Sequence, residues 1–320
     1  MTEAEAESCE ISLIIATRNR AESLQRTLES LLQIRFDRAW EVLVIDNGSS
    51  DKTAEVLETF SARLPLIAIN ESEPGKNRAL NLALGFARGN LFVFTDDDVS
   101  VPLNWLSAYF EASRAWPTAN IFGGPIRPVF PEATPDWISA PDFILASEAF
   151  GIKPIGSEGP TDEPPYGANL AMRAALFDGL SFDENIGPNS AKSYAQGSEY
   201  ELMKRLQERG EEFIHVPGAP IDHMISEHQV ELDWLHGRAE RIGRGSARIK
   251  GKHLPRSLAG WIPLFLRLQK ARWLAFLARG KDASERFSRT QRVHYWQGYI
   301  SEARVLAPGF SPSRRRSTSR

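Results

Sequence analysis

Leu91-Phe-Val-Phe-Thr95 runs directly into Asp96-Asp97-Asp98. The apolar run has no helical period and predicts a short buried strand. Working outward from it, Gly89 stops a helix expected from about Asn77 to Ala87, and Glu73-Pro74-Gly75 breaks the chain before that helix. Leu66 to Ile69 reads as a strand. Val56, Leu57 and Phe60 mark the inner face of a helix that follows the turn Asn47-Gly48-Ser49-Ser50. Glu41-Val-Leu-Val-Ile-Asp46 and Ile11-Ser-Leu-Ile-Ile-Ala16 are two more buried strands, with an amphipathic helix from about Ala21 to Gln33 between them. Strands alternating with helices at this spacing predict βαβ units: an α/β fold with a mostly parallel, Rossmann-like sheet flanked by helices.

Ligands of such sheets bind beyond the carboxyl ends of the strands. The polar residues at those ends are Thr17-Arg18-Asn19, Asp46-Asn47 and Asp96-Asp97-Asp98. If the chain stays extended through the acids, Asp96 and Asp98 aim into one crevice and Asp97 points elsewhere. Three adjacent carboxylates repel one another unless a cation or hydrogen-bond donors relieve them. Mg²⁺ or Mn²⁺ with diphosphate oxygens as further ligands gives that relief. The plainer reading is a solvated turn before the helix that follows Pro102. Asp46 can accept from a base N–H or cap the next helix. A dinucleotide-binding role would need G-x-G-x-x-G after the first strand, and Ala16-Thr-Arg-Asn-Arg-Ala21 has no glycine. Lys76 and Arg78 follow Gly75 at a helix start, which suits a phosphate, although basic residues near helix ends are commonly solvated.

Residues 123–167 are rich in proline and aromatics and predict irregular loops with short strands. Helical pattern returns at Glu199–Arg209, short strands are expected at Glu212–Val216 and Ala219–His223, and residues 230–300 read as helical. The expected organisation is an acidic tail (1–9), an α/β domain (10–227), a basic helical C-terminal region (228–305) and a disordered tail (306–320). The net charge of -3 hides a split: residues 1–227 hold 18 Lys+Arg against 35 Asp+Glu, and residues 228–320 hold 20 against 6. The basic part suits an anionic surface, or else it is a solvated helical face. The single cysteine, Cys9, excludes a disulfide framework and a cysteine zinc site, and suits a reducing compartment. The first ten residues lack the apolar segment of a secretory signal, and no run of 18 apolar residues occurs.

Four ordered blocks carry a resemblance: Ile15-Ala-Thr-Arg-Asn-Arg20, Glu41-Val-Leu-Val-Ile-Asp-Asn-Gly-Ser-Ser-Asp51, Gly75-Lys-Asn-Arg-Ala-Leu-Asn81 and Phe94-Thr-Asp-Asp-Asp98. With Gly167-Ala-Asn-Leu-Ala-Met-Arg173, Phe182-Asp-Glu184 before Gly187-Pro188, and Gly197-Ser-Glu-Tyr-Glu-Leu202, the chain resembles family 2 glycosyltransferases of GT-A fold over roughly residues 10–225. The resemblance implies an inverting, metal-dependent, hexosyltransferase-like enzyme that moves one sugar from a nucleotide-diphosphate donor, UDP-sugar favoured, to an acceptor hydroxyl. The acceptor would be a saccharide or lipid-linked saccharide in polysaccharide or glycolipid assembly. Ala16, Thr17 and Arg18 would line the base pocket and Asp46 would read the base edge. Lys76 and Arg78 would lie near base or phosphates, Asp96 and Asp97 would hold ribose and sugar, and Asp98 and His223 the Mn²⁺ or Mg²⁺. Glu199 would be the catalytic base, and its place early in a helix favours the ionised form. His223 could equally be a partly buried structural histidine, and an acidic residue in a first helical turn is common for stability alone.

Arg18 stands where the family usually has an aromatic residue, and Ser198-Glu199 replaces its Glu-Asp pair. Membrane spans of the kind that processive members add are not found, so one sugar per binding event is expected, although Gln269-Lys-Ala-Arg272-Trp273 has the spelling of those members' Q-x-x-R-W block. The expected location is cytoplasmic, peripheral on the inner face of an anionic membrane, with no nucleic acid partner. Two alternatives stay open: a nucleotidyltransferase of similar fold and a non-catalytic carbohydrate-binding or scaffold protein. Apolar residues from Leu258 to Leu277, with Arg267, Lys270, Arg272 and Arg279 among and after them, form either an interfacial helix or a helix packed in a core.

Overall fold

The computed structural model describes residues 9–140, 143, 149–191, 193–255 and 257–307, the side chain of Lys252 excepted. The acidic tail, save its last residue, and nearly all of the expected disordered tail lie outside the described residues. The chain divides into two compact units. The first takes in residues up to Ala133, Phe150–Glu184 and Ser198–Ser226; the second takes in Thr134–Ala149, Asn185–Gly197 and the chain from Glu227.

The first unit has the expected α/β architecture. Its strands are β1 (Ile11–Thr17), β2 (Trp40–Asp46), β3 (Leu66–Asn70), β4 (Leu91–Thr95), β5 (Val99–Ser100), β6 (Ile121–Gly123), β7 (Ile126–Val129), β8 (Gly159–Thr161), β9 (Asn169–Arg173), β10 (Phe213–His215) and β11 (Ile221–Met224). Its helices are α1 (Ala21–Leu31), α2 (Thr53–Ser61), α3 (Lys76–Leu84), α4 (Trp105–Ala115) and α5 (Ser198–Glu208). The large sheet has the order β3-β2-β1-β4-β9-β6-β10-β8. The run β3-β2-β1-β4 and the pair β10-β6 are parallel, and β9 and β8 run antiparallel to their neighbours. A second sheet, β5-β11-β7, pairs β11 parallel to β7 and antiparallel to β5.

The alternation of strand side chains sorts the core into two layers. Ile11, Leu13, Ile15, Val42 and Val44 meet Leu24, Leu28, Leu57, Phe60, Trp105 and Tyr109 from α1, α2 and α4. Ile14, Leu43, Ile45, Phe92 and Phe94 meet Ala79, Leu80, Ala83, Leu202, Met203 and Leu206 from α3 and α5. Each fully buried aliphatic side chain contributes about 1.5–3 kcal/mol, so both faces of the sheet are strongly held. The chain moves outward from β1 to β3 and then returns to place β4 on the other side of β1. The carboxyl ends of β1 and β4 therefore flank a topological switch point, where a ligand crevice belongs.

One buried side chain ties the two sheets together. Asn169 Oδ1 accepts from Trp105 Nε1 (3.0 Å) and Tyr109 Oη (2.7 Å), and its Nδ2 donates to the carbonyls of Pro125 (2.9 Å) and Ala219 (2.7 Å). Gly124 lies so close to the Ala219 carbonyl and to the Asn169 amide that a Cβ there would collide with both.

The second unit is mainly three helices: α6 (Leu232–Lys250), α7 (Leu258–Leu277) and α8 (Ala283–Leu306). Helices α6 and α8 cross with almost no space between backbones. A Cβ on Gly243 would strike the Tyr295 carbonyl, and one on Gly298 would strike the Glu240 carbonyl. Asp282 caps α8 by accepting from Glu285 N at 2.9 Å. Arg244 and Arg248 of α6 both reach the buried carboxylate of Glu302.

Candidate functional site

At the end of β1 the chain turns sharply. Asn19 has φ 53°, a left-handed conformation that asparagine tolerates better than most residues. Its Oδ1 accepts from Ser50 N at 2.7 Å, and its own N–H donates to Ser49 Oγ at 2.9 Å. The turn is thus pinned to the loop after β2. Arg20 follows it and reaches the acids that end β4.

Those acids do not continue the strand. Asp97 and Asp98 lie in a turn between β4 and β5, so the expected alternation of an extended segment is lost. Asp97 and Asp98 share one cation instead: Arg20 Nη1 lies 3.1 Å from Asp97 Oδ1, and its Nη2 lies 2.6 Å from Asp98 Oδ2. Thr17 Oγ1 donates to Asp97 Oδ2 at 2.7 Å. Asp96 alone turns the other way, to Lys76. Asp97 and Asp98 are both buried. Burial, with the neighbouring charge of Asp98, holds the Asp97 carboxyl above the ordinary carboxylate range although Arg20 pulls against it. Burial also acts to raise Asp98, but the hydrogen bond and charge of His223, together with Arg20, overcome it and hold that carboxyl low. Burial by itself would depress Arg20, and the facing carboxylates raise it instead.

Strand pairing brings His223 to Asp98. In the β5–β11 ladder His223 stands opposite Val99, and Met224 N donates to the Asp98 carbonyl at 2.8 Å. His223 Nε2 comes to 3.4 Å from Asp98 Oδ1, and its Nδ1 lies 3.0 Å from the Phe150 carbonyl. A proton on Nδ1 donated to that carbonyl leaves the Nε2 lone pair facing the carboxylate. Asp98 Oδ1 is itself buried with no well-aligned hydrogen bond. Where no cation is bound, a proton on Nε2 fills the gap between them, for burial would lower the His223 pKa but the hydrogen bond and charge of Asp98 raise it. A divalent ion would take the proton's place, and a ring nitrogen fixed by a carbonyl on its far side is the usual setting of a metal-ligating histidine. Asp98 and His223 therefore fit a divalent ion. Among the described residues no group of three His, Cys, Asp or Glu side chains converges as a metal cage. Further ligands would have to come from a bound diphosphate or water.

The second half of the site centres on Lys76. Its Nζ lies 2.7 Å from Asp96 Oδ1 and 2.9 Å from Glu199 Oε1. Burial would lower this ammonium, yet the two carboxylates outweigh it and raise it. The loop that delivers Lys76 is held by Asn47, whose Nδ2 donates to the Glu71 and Glu73 carbonyls and whose Oδ1 accepts from Gly75 N. Helix α3 is then pegged by Asn77 to the Asp183 carbonyl and by Asn81 to both backbone groups of Phe182. Glu199 stands in the first turn of α5 and lies across the bare Cα of Gly167, where any Cβ would overlap its Cγ, Cδ and Oε1. Lys76, Thr95, Asp96, Gly167 and Glu199, with Leu80, Phe94 and Phe182 as apolar floor, line one crevice.

The remaining residues singled out in the sequence lie around this centre. Ala16 and Thr17 end β1, and Arg18 follows half-buried and without an ion pair among the described residues. Asp46 ends β2 and accepts from Ser49 N at 2.8 Å, so one oxygen is already used by the turn. Arg78 is paired with Glu184 at 3.1 Å, both half-exposed. Sequence reasoning missed Arg20 as the partner of the acids, Gly167 as the bed of Glu199, and Asn47 and Asn169 as the pins of the site. All four lie in the quoted blocks, but nothing in their spacing reveals whom they touch.

Residues 12–153 match the family described as Glycosyl transferase family 2. A glucosyl-dolichyl phosphate glucuronosyltransferase of Haloferax volcanii is 23% identical over 70% of this chain and 72% of its own length. The succinoglycan biosynthesis protein ExoM of Rhizobium meliloti is 25% identical over 76% of each. Among solved structures, the mannosyltransferase PcManGT of Pyrobaculum calidifontis, in complex with GDP-Man and Mn²⁺, is similar over 93% of this chain and 88% of its own, with a TM-score of 0.58 and 18% identity. S. aureus TarS 1-349 in complex with UDP-GlcNAc gives a TM-score of 0.51 and 15% identity over 91% of each chain. The α/β architecture is that of GT-A glycosyltransferases.

Proposed function

The chain is a glycosyltransferase whose residues 12–153 belong to family 2, and from that premise we propose that it moves one hexose from a UDP-sugar, with inversion, to an acceptor hydroxyl. With the transferase assignment the nucleotidyltransferase and scaffold readings fall away. The observation that carries the proposal is Lys76, which joins Asp96 on the donor side to Glu199 on the acceptor side at 2.7 and 2.9 Å.

The strand ends supply the donor site. Ala16, Thr17 and Arg18 at β1 and Asp46 at β2 meet the base, and Asp96 and Asp97 hold ribose and sugar hydroxyls. Arg78 and Lys76 add positive charge where the donor's phosphates enter. Asp98 and His223 hold Mn²⁺ or Mg²⁺, which when bound neutralises the charge that builds on the departing diphosphate. Arg20 keeps Asp97 and Asp98 from repelling each other and the donor before it binds.

Glu199 is the base. Its carboxylate takes the proton of the acceptor hydroxyl as that oxygen forms a bond to the anomeric carbon. The bond from that carbon to the phosphate oxygen breaks, and the nucleoside diphosphate leaves with the bonding pair. Lys76 beside Glu199 favours the ionised form that a base requires. The side chain is longer than an aspartate, and bare Gly167 gives it room to lie back toward Lys76.

The acceptor is a saccharide or lipid-linked saccharide, and the setting is polysaccharide or glycolipid assembly at the inner face of a membrane. The glucosyl-dolichyl phosphate and succinoglycan names of the two relatives support that class. Incubation with a panel of nucleotide sugars and Mn²⁺, followed by nucleotide release, tests the donor assignment. Turnover of a UDP-hexose above the others is expected; release from none of them would overturn it.

A further inference from the structure

We infer that the outward face of α7 is the surface by which this chain lies on an anionic membrane. The inference deepens the reading of a peripheral enzyme with lipid-linked acceptors and rests on that reading for its purpose.

Helix α7 is apolar on two sides. Trp261, Leu264 and Leu268, at positions i, i+3 and i+7, are buried with Tyr299, Ile300 and Ala303 of α8 and Ala247 of α6, and Ala271, at i+10, is buried on the same side. Ile262, Leu266, Trp273 and Leu277, at i, i+4, i+11 and i+15, fall on the opposite side at 3.6 residues per turn. They are exposed: Leu266 by 63%, Trp273 by 60% and Ile262 by 56%. Leu258 and Phe276 lie beside this stripe and are exposed as well. A soluble helix normally carries polar residues opposite its buried seam, and one that is apolar there as well has a second apolar medium to meet.

The charges name that medium. From Leu258 to Leu277 there is no Asp or Glu, and the cations Arg267, Lys270 and Arg272 are all exposed. Lys270 and Arg267 flank the stripe on one side and Arg272 on the other. Arg279 lies just beyond the helix, 4.7 Å from the centre of the Phe276 ring. Arg304 of α8 lies 5.4 Å from the centre of the Phe265 ring and brings the exposed Val305 and Leu306 to the same neighbourhood. Tryptophan, phenylalanine and leucine bordered by long cations are the composition of a helix lying in the interface, with aromatic rings and aliphatic stems in the acyl boundary and charged ends at phosphate level. Among the described residues no helix is long and apolar enough to cross a membrane, so α7 lies along the surface and does not span it. A second copy of this chain would bring cations against cations at this face, whereas anionic headgroups complement them.

Co-sedimentation of the full chain with vesicles tests this. Binding is expected to vesicles of phosphatidylcholine with phosphatidylglycerol, weakly or not at all to phosphatidylcholine alone, and less at high salt. The double variant Leu266→Glu/Trp273→Glu and the charge variant Lys270→Glu/Arg272→Glu should each weaken binding by about tenfold or more. Both change only exposed side chains, and circular dichroism confirms their folding. No binding of the wild type at low salt, equal binding by the variants, or a wild-type dimer that Leu266→Glu turns to monomer without loss of lipid binding would each overturn the inference. Titration of UDP with Mn²⁺ runs in parallel: intact nucleotide binding with no vesicle binding sinks the membrane face and leaves the UDP-sugar reading standing, and the converse sinks the UDP-sugar reading alone.

Discussion

Arg20 and Asp98 stand 78 positions apart in the chain, and Arg20 Nη2 lies 2.6 Å from Asp98 Oδ2. The same guanidinium lies 3.1 Å from Asp97, so one cation from the β1–α1 turn compensates two buried carboxylates from the β4 turn. Three bare acids side by side would repel one another and any anionic ligand. Arg20 and Lys76 provide the first compensation, and a divalent ion beside Asp98 and His223 would complete it.

Arg20→Ala should therefore lower stability by about 2–3 kcal/mol, because removing one partner leaves buried charge uncompensated. Mn²⁺ with UDP should restore part of the loss, since it binds the folded state. Urea unfolding with and without Mn²⁺–UDP checks both. An unchanged midpoint for the variant would show that solvent already screens the two acids.

Asp98→Asn should remove metal-dependent turnover and weaken Mn²⁺ binding in the presence of UDP. Calorimetric titration and nucleotide release measure the two effects. Turnover near the wild-type level with Mn²⁺ would rule out the assignment of Asp98 and His223.

Gly167→Ala should act through Glu199. The new methyl group occupies the space of the Glu199 carboxylate and must push it off Lys76. A misplaced base costs kcat by about 10²-fold while nucleotide affinity is kept. Loss of affinity in step with rate would point to a general collapse of the crevice.

Much of this site was legible along the chain, and what was hidden has a physical reason. Four strands and four helices of the first unit announce themselves through apolar runs and caps, because β1, β2 and β4 are buried on both faces and nearly every residue must be apolar. Glu199 was placed correctly in a first helical turn. An extended segment would aim Asp96 and Asp98 to one side, but the chain turns at Asp97, and apolar periodicity carries no signal for that turn. Arg20 looked like any solvated arginine, since its partners are supplied by a different strand. The four hydrogen bonds of Asn169 likewise exist only after β9 has entered between β4 and β6. The apolar residues of α7 could be assigned to core or surface only once Trp261 and Leu268 were seen to fill the core seam without Leu266 and Trp273.

Asn169→Leu should cost more than about 3 kcal/mol, since Trp105 Nε1, Tyr109 Oη and the Pro125 and Ala219 carbonyls lose their buried partner together. A thermal midpoint within a degree or so of the wild type would show that water replaces the amide.

At the other end of the sheet, Glu41 sets a pH-dependent stability. Burial would raise its carboxyl, but the Ser12 hydroxyl at 2.6 Å and the backbone N–H and guanidinium of Arg88 outweigh burial and lower it below 4.5. A carboxyl lowered on folding stabilises the protein above its unfolded pKa, and that contribution is lost as pH falls through the folded value. Glu41→Gln should thus be less stable by about 1–3 kcal/mol at neutral pH, and the gap should shrink in acid, as pH falls below the ordinary carboxylate range and through the lowered folded value. Urea unfolding at neutral and acid pH decides it; a gap that stays constant would mean that the pair acts through shape and not charge.

The central claim, that Glu199 deprotonates the acceptor, is tested most directly by single-turnover nucleotide release from wild type and Glu199→Gln, with the donor titrated on both. The account predicts a rate about 10²–10⁴-fold lower for the variant at unchanged donor affinity. An unchanged rate, or an affinity that falls with the rate, would contradict it.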